Sequence, residues 1–139
     1  MDVKYTAHAV STGGGRDGAV RSDDGTIDLT VKMPPALGGP GGGTNPEQLF
    51  AAAYAACFHG ALRLVARNEK VALSDDATVE AAVGIGPDET SFGLTATLTA
   101  TLPGLDQQQA DELMRKAHQV CPYSKATRGN IDVKLIAKV

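Results

Sequence analysis

The apolar residues of this chain repeat with two different periods, and the switches between them leave room for one class of fold. Phe50, Ala53, Cys57, Ala61 and Leu64 recur every third or fourth residue, the repeat of one helix face. Phe92, Leu94, Ala96, Leu98, Ala100 and Leu102 recur every second residue against Thr95, Thr97, Thr99 and Thr101, the repeat of a half-buried strand. Asn45 offers an N-cap and Pro46 suits a first helical position, so a helix is predicted over 46 to 67. Val79 to Ile85 reads as the strand that pairs with Phe92 to Leu102. Beyond Pro103-Gly104, Asp106 and Gln109 make a capping box, and Ala110, Leu113, Met114, Ala117 and Cys121 form the stripe of a second helix that Pro122 ends. Residues 122 to 128 suit a short further helix, and Ile131, Val133 and Leu135 a last strand. Near the start, Val3, Tyr5, Ala7 and Ala9 alternate with polar residues, as do Ile27, Leu29, Val31 and Met33, which predicts N-terminal strands. Residues 34 to 45 are too rich in Gly and Pro for regular structure. The order is strands, helix, strands, helix, strand, an α+β class, and no repeat or shift of composition divides residues 1–139 into more than one domain.

Composition removes several functions. Thirteen basic and 16 acidic residues are spread along the chain for a net charge of -3, without the basic stripe that a nucleic-acid backbone requires. No apolar run comes near the roughly 20 residues of a membrane span, and the first residues lack a signal-like pattern, so a cytoplasmic protein that does not engage the membrane is expected. Gly13 to Gly18 matches G-x-G-x-x-G, but strand and turn follow it rather than a helix, so dinucleotide binding fails on context. The Gly/Pro loop lacks the Lys of a phosphate-binding loop. Aromatics are only 4% of the chain, with no Trp, so small aliphatic side chains fill much of the interior and a partner subunit is expected.

The chain has two cysteines, Cys57 and Cys121, each on the apolar stripe of a helix. Two helices on one core would let them face each other. Inert core thiols and a structural disulfide both remain open on this ground, although a reducing compartment favours a redox role over a permanent bridge. Cys121 precedes Pro122 at the start of a short helix, where free N–H groups favour a thiolate. Zinc is disfavoured: Cys57 and His59 point about 200° apart on a helix, so no metal is expected. His8, His59 and His118 suit surface or hydrogen-bonding positions, and no Ser-His-Asp arrangement is present. A reactive thiol near pH 7 needs a cation, because a free one titrates near 8.5. Arg16, in a glycine loop, held by a carboxylate such as Glu47, is a candidate.

Four blocks then stand out: Gly14-Gly15-Arg16-Asp17-Gly18, Thr44 to Ala52 (Thr-Asn-Pro-Glu-Gln-Leu-Phe-Ala-Ala), Tyr54-Ala55-Ala56-Cys57-Phe58, and Ala117 to Val133 with Cys121-Pro122-Tyr123-Ser124 and Arg128-Gly129-Asn130-Ile131-Asp132. With them the chain resembles the OsmC/Ohr family, in its organic hydroperoxide resistance branch, from Gly14 to Val133. Ala53 stands where the family commonly has Gly and Lys125 where Asn is frequent. The resemblance implies a fold of antiparallel sheets packed on two main helices in an intertwined homodimer. It implies a thiol peroxidase without a bound cofactor that reduces organic hydroperoxides. Cys57 would be peroxidatic, Cys121 resolving, and Arg16 with Glu47 would stabilise the thiolate. It also implies an external dithiol of the dihydrolipoamide type, or a lipoylated protein, as reductant.

On that footing Cys57 attacks the peroxide, becomes a sulfenic acid, and is captured by Cys121 as a disulfide. Phe50, Phe58 and Tyr123 are candidates for an apolar wall around the alkyl group. A thiol switch that uses the same disulfide without turnover is the alternative. Glu47 and Cys57 lie ten residues apart, about 15 Å along a helix, which predicts that the site is shared between two subunits.

Overall fold

The computed structural model describes residues 1–139, which divide within the first helix into two units, Met1–Leu49 and Phe50–Val139. In the first, β1 (Ala9–Gly13), β2 (Gly18–Ser22) and β3 (Asp28–Val31) form an antiparallel sheet in that order. Glycine sets the β1–β2 turn. Gly13 pairs with Gly18, the Gly14 N–H donates to the Asp17 carbonyl at 2.8 Å, and Gly15 has φ +73°. A Cβ at Gly18 would lie 2.0 Å from the Thr12 carbonyl oxygen, so only glycine allows the strands to approach this closely. Arg16 therefore sits at a hairpin tip.

The Gly/Pro segment carries a 3-10 turn at Pro35–Leu37 where none was expected. It closes back on β3, with the Lys32 N–H donating to the Thr44 carbonyl and the Thr44 N–H to the Thr30 carbonyl, both at 2.9 Å. Asn45 then caps α1 (Pro46–Asn68), its Oδ1 accepting the Gln48 N–H at 2.9 Å. The expected strand over Val3 to Ala9 is corrected to β1 at Ala9–Gly13. Its alternation is real, but β2 ends at Ser22, opposite Ala9, so residues before Ala9 have no strand to pair with. Of this unit only Val31 and Asn45 are buried.

The second unit holds the rest of α1, then β4 (Thr78–Pro87), β5 (Phe92–Thr101), α2 (Gln107–Val120), α3 (Pro122–Thr127) and β6 (Val133–Lys138). β4 and β5 form an antiparallel hairpin, and β6 joins β5 in parallel rather than in the expected antiparallel sense. The reason is the connection: α2 and α3 carry the chain back to the end at which β5 started. Asp106 caps α2 by accepting the Gln109 N–H at 2.8 Å. The core is built here from Tyr54, Phe58 and Leu62 of α1, Leu98 of β5, and Leu113 and Met114 of α2. α1 also corrects the expectation about apolar length, since by length and composition it is sufficient to cross a membrane. Six of its residues, including Tyr54, Phe58 and Leu62, are buried in the core of the second unit, which accounts for its apolar character without a bilayer.

Candidate active site

Cys57 and Cys121, 64 positions apart in sequence, are brought together in the second unit. Their sulfurs lie 3.5 Å apart as free thiols, with Cys121 donating to Cys57. Closure to a bond of about 2.05 Å needs a relative shift of only about 1.5 Å. The two differ in access. Cys57 is half-buried on α1, whereas Cys121 is fully buried at the joint between α2 and α3. The Cys121 N–H donates to the Ala117 carbonyl and its carbonyl accepts the Lys125 N–H, so the last turn of α2 and the first of α3 both fix its backbone.

Burial pushes the Cys57 thiol above its ordinary value, the backbone N–H of Tyr123 pulls it down, and the neighbouring Cys121 pushes it up again. No cation is among these influences. The sequence aimed the free N–H groups of the short helix at Cys121. The structure instead leaves the Cys121 side chain out of the cap and directs the Tyr123 N–H to Cys57, because the Cys121 sulfur turns inward toward its partner.

An aromatic cluster adjoins the thiols. Phe50, Tyr54 and Cys57 share one face of α1, at spacings of four and three. The Tyr123 ring lies 6.4 Å from Phe50 and 5.9 Å from Tyr54. Phe50 and Tyr123 thus pack together along the face of α1 that carries Tyr54 and Cys57, Tyr123 being 38% exposed. Phe58 faces elsewhere. One position beyond Cys57, it turns about 100° around the helix into the core and has no exposed surface. A cleft of about 580 Å³ between the β4–β5 turn and Asn130–Ile131 is lined by none of these residues.

Beneath the cluster the structure adds groups that the sequence did not single out. The Tyr54 hydroxyl lies 2.9 Å from Ser124 Oγ and 3.2 Å from Thr127 Oγ1, and His118 Nδ1 lies 2.8 Å from Ser124 Oγ. Tyr54, Ser124 and Thr127 are all buried. Ser124 and Thr127 recur at helical spacing after Pro122, which marks them as inward-facing, but nothing local names Tyr54 as their partner. His59 Nε2 is buried without a partner, and burial, then Arg63, holds that imidazole below its ordinary pKa. Burial, then Arg128, does the same to His118.

In the first unit, Arg16 and Glu47 form the expected pair. Both guanidinium nitrogens engage both carboxylate oxygens, at 2.9 and 3.0 Å. The Glu47 side chain is 12% exposed, and this two-point hydrogen bond holds its carboxyl below, and the Arg16 guanidinium above, their ordinary pKa values. The arginine is therefore fixed in place as a permanent cation.

A family model described as OsmC-like protein matches residues 39–136. The organic hydroperoxide resistance protein of Xanthomonas axonopodis pv. citri is 52% identical over 96% of this chain and 94% of its own. A crystal structure of an organic hydroperoxide resistance protein from Legionella pneumophila superposes with a TM-score of 0.93 at 48% identity, covering 99% of this chain and 100% of that one. The crystal structure of OhrB of Bacillus subtilis gives 0.88 at 46% identity, over 98% and 100%. With a family match across most of its length, and relatives of this identity over nearly all of it, the chain belongs to the OsmC/Ohr family, in its organic hydroperoxide resistance branch.

Proposed function

We propose that this chain is a thiol peroxidase that reduces organic hydroperoxides to alcohols through Cys57 and Cys121. The observation that carries the reading is the thiol pair itself: two free sulfurs 3.5 Å apart, one half-buried and one fully buried. The reachable thiol suits attack, and the enclosed one suits capture of the product. The names of the relatives supply the substrate class.

Cys57 thiolate attacks the oxygen distal to the alkyl group, the O–O bond breaks, and the alkoxide takes up a proton and leaves as alcohol. Cys57 is then a sulfenic acid. The Cys121 sulfur displaces its hydroxyl, which departs as water, and the Cys57–Cys121 disulfide forms. An external dithiol returns both thiols; the dihydrolipoamide type, free or protein-borne, rests on the family resemblance. Burial and Cys121 both disfavour the Cys57 thiolate, so the reaction needs a cation, and Arg16 held by Glu47 is that cation in this reading. It also stabilises the departing alkoxide. Phe50 and Tyr123 border the alkyl group. We further propose that the active species is a homodimer that acts in the cytoplasm.

Consumption of an alkyl hydroperoxide over many turnovers with excess dithiol tests the reading. Cys57→Ser is expected to abolish it, and Cys121→Ser to stop after about one turnover with Cys57 trapped as sulfenic or higher acids. Sustained turnover by Cys57→Ser would overturn the assignment. A parent protein that forms the disulfide once and cannot be recycled by any dithiol would be a thiol switch instead.

A further inference from the structure

Tyr54 lies three residues before Cys57 on α1, and Ser124 three residues after Cys121 on α3. The sulfurs of the two cysteines are 3.5 Å apart, and the hydroxyls of the other two residues are 2.9 Å apart. Two short contacts, each about one helical turn from the other, thus join the same pair of elements. The second is polar, buried and directional, which makes it the stricter of the two.

Its direction follows from counting hydrogens. Thr127 donates its only hydroxyl hydrogen to the Ser124 carbonyl at 3.1 Å, so at the contact with Tyr54 it is the acceptor. Tyr54 therefore spends its hydrogen on Thr127, and must accept from Ser124 Oγ. Ser124, its hydrogen spent on Tyr54, accepts from His118 Nδ1, which carries a hydrogen in the tautomer this requires. The chain runs from His118 through Ser124, Tyr54 and Thr127 to the Ser124 carbonyl, each hydrogen used once. The Arg128 guanidinium also donates to the His118 carbonyl at 2.7 Å, which ties the end of α3 to α2 on the other side of Cys121. With Tyr54, Ser124 and Thr127 each at most 2% exposed, no solvent replaces a lost partner, so the network fixes one register of α3 against α1.

We propose that this network, through Tyr54 and Ser124, sets the distance and approach of Cys121 to Cys57 and so governs the step in which the disulfide closes. Tyr54, Ser124 and His118 are positioning residues, and none reacts. The purpose of that disulfide rests on the peroxidase reading, but the positioning does not, so the two are tested apart. An aromatic disulfide reagent whose released thiolate is coloured serves as probe. Cys57 attacks it and releases one thiolate; Cys121 then attacks the mixed disulfide at the Cys57 sulfur, forms the internal disulfide and releases a second thiolate. Atoms and electrons balance without a peroxide.

Tyr54→Phe and Ser124→Ala are expected to leave the first release within about twofold of the parent and to slow the second by about tenfold or more, since misplacement on the order of 1 Å is costly in such reactions. With one equivalent of hydroperoxide, the same variants should accumulate Cys57 sulfenic acid in place of disulfide, and further equivalents should carry it to the higher acids. Leu62→Ala, which loosens the same core without touching a hydroxyl, should leave the ratio of the two releases unchanged. A second release at the parental rate in both hydroxyl variants overturns the proposal, as does an equal slowing in Leu62→Ala. Loss of hydroperoxide consumption in the parent, with both releases intact, would sink the peroxidase reading and leave the positioning standing.

Discussion

At Arg16 the electrostatics give a signed expectation. Within the chain the influences on Cys57 are burial and Cys121, which disfavour the thiolate, and one N–H, which favours it. If Arg16 supplies the missing positive charge, Arg16→Met removes it while keeping a long side chain. The pH midpoint for alkylation of Cys57 should then move up, and each unit of that shift lowers the thiolate fraction at neutral pH about tenfold. Oxidation by hydroperoxide should slow more than reduction by dithiol; an alkylation profile identical to the parent's would remove Arg16 from the site. The facing pair Cys57 and Cys121, and the ion pair Arg16 and Glu47, were legible as pairs because their neighbours in sequence form recognisable blocks and because thiol chemistry demands a cation. Tyr54 was not, because in sequence it is one more apolar position on a helix face, and its value lies in partners 70 and 73 residues away. The place of Phe58 was hidden for a related reason: adjacency to Cys57 in sequence puts a residue about 100° away on a helix.

The long helix ends in a way that offers a test at the scale of an element. The Val71 N–H donates to the Ala66 carbonyl at 2.8 Å and the Lys70 N–H to the Arg67 carbonyl at 3.1 Å, the paired bonds of a Schellman motif. Lys70 thereby occupies the left-handed position with φ 58°, the one non-glycine residue in the chain with positive φ. A side chain there costs about 1–2 kcal/mol, while glycine costs about 0.4–1 kcal/mol through the freedom it restores to the unfolded chain. Strain wins by a modest margin, so Lys70→Gly is expected to stabilise by up to about 1 kcal/mol, read as a higher denaturant midpoint at unchanged slope. A lower midpoint would mean that the Lys70 side chain makes up for its backbone. Start and stop chemistry made α1 and α2 legible to within a residue or two, from Asn45-Pro46 and Asp106 to Pro122. Alternation did the same for β4 and β5. It failed for Val3 to Ala9, because a period of two describes what a strand looks like and not whether another strand lies beside it. The parallel sense of β6 was hidden too, since direction depends on the crossover and not on the pattern of the strand itself.

For the whole molecule, the titrating groups set limits on both sides of neutrality. His59 and His118 are held below their ordinary pKa, so the unfolded chain takes up protons first and stability falls as pH drops below about 6.5. Glu47, also lowered, adds to the loss below about 4.3. Cys57, raised, acts oppositely, and its contribution declines as pH rises past about 8.5. Thermal stability should peak between these limits, and His59→Gln should flatten the acid side; a Tm that is level from about pH 5 to 7 would contradict the histidine account. A second expectation concerns assembly. The first unit buries only Val31 and Asn45 and leaves exposed Ile27 and Leu29, which point to the same side of its sheet region; this favours a partner surface over an independent fold. Glu47 and Cys57 are ten residues apart in sequence, and ten residues of ideal helix rise about 15 Å, more than one side chain covers. If a partner subunit supplies Glu47 with its Arg16, mixing the inactive subunits Cys57→Ser and Glu47→Ala creates a heterodimer with one site carrying both defects and one carrying neither. Activity should then return in about half of the heterodimer's sites, as the pairing of a two-fold interface requires. If Glu47 instead serves the Cys57 of its own chain, every site keeps one defect, and purified heterodimers will show no site better than those of the Glu47→Ala homodimer.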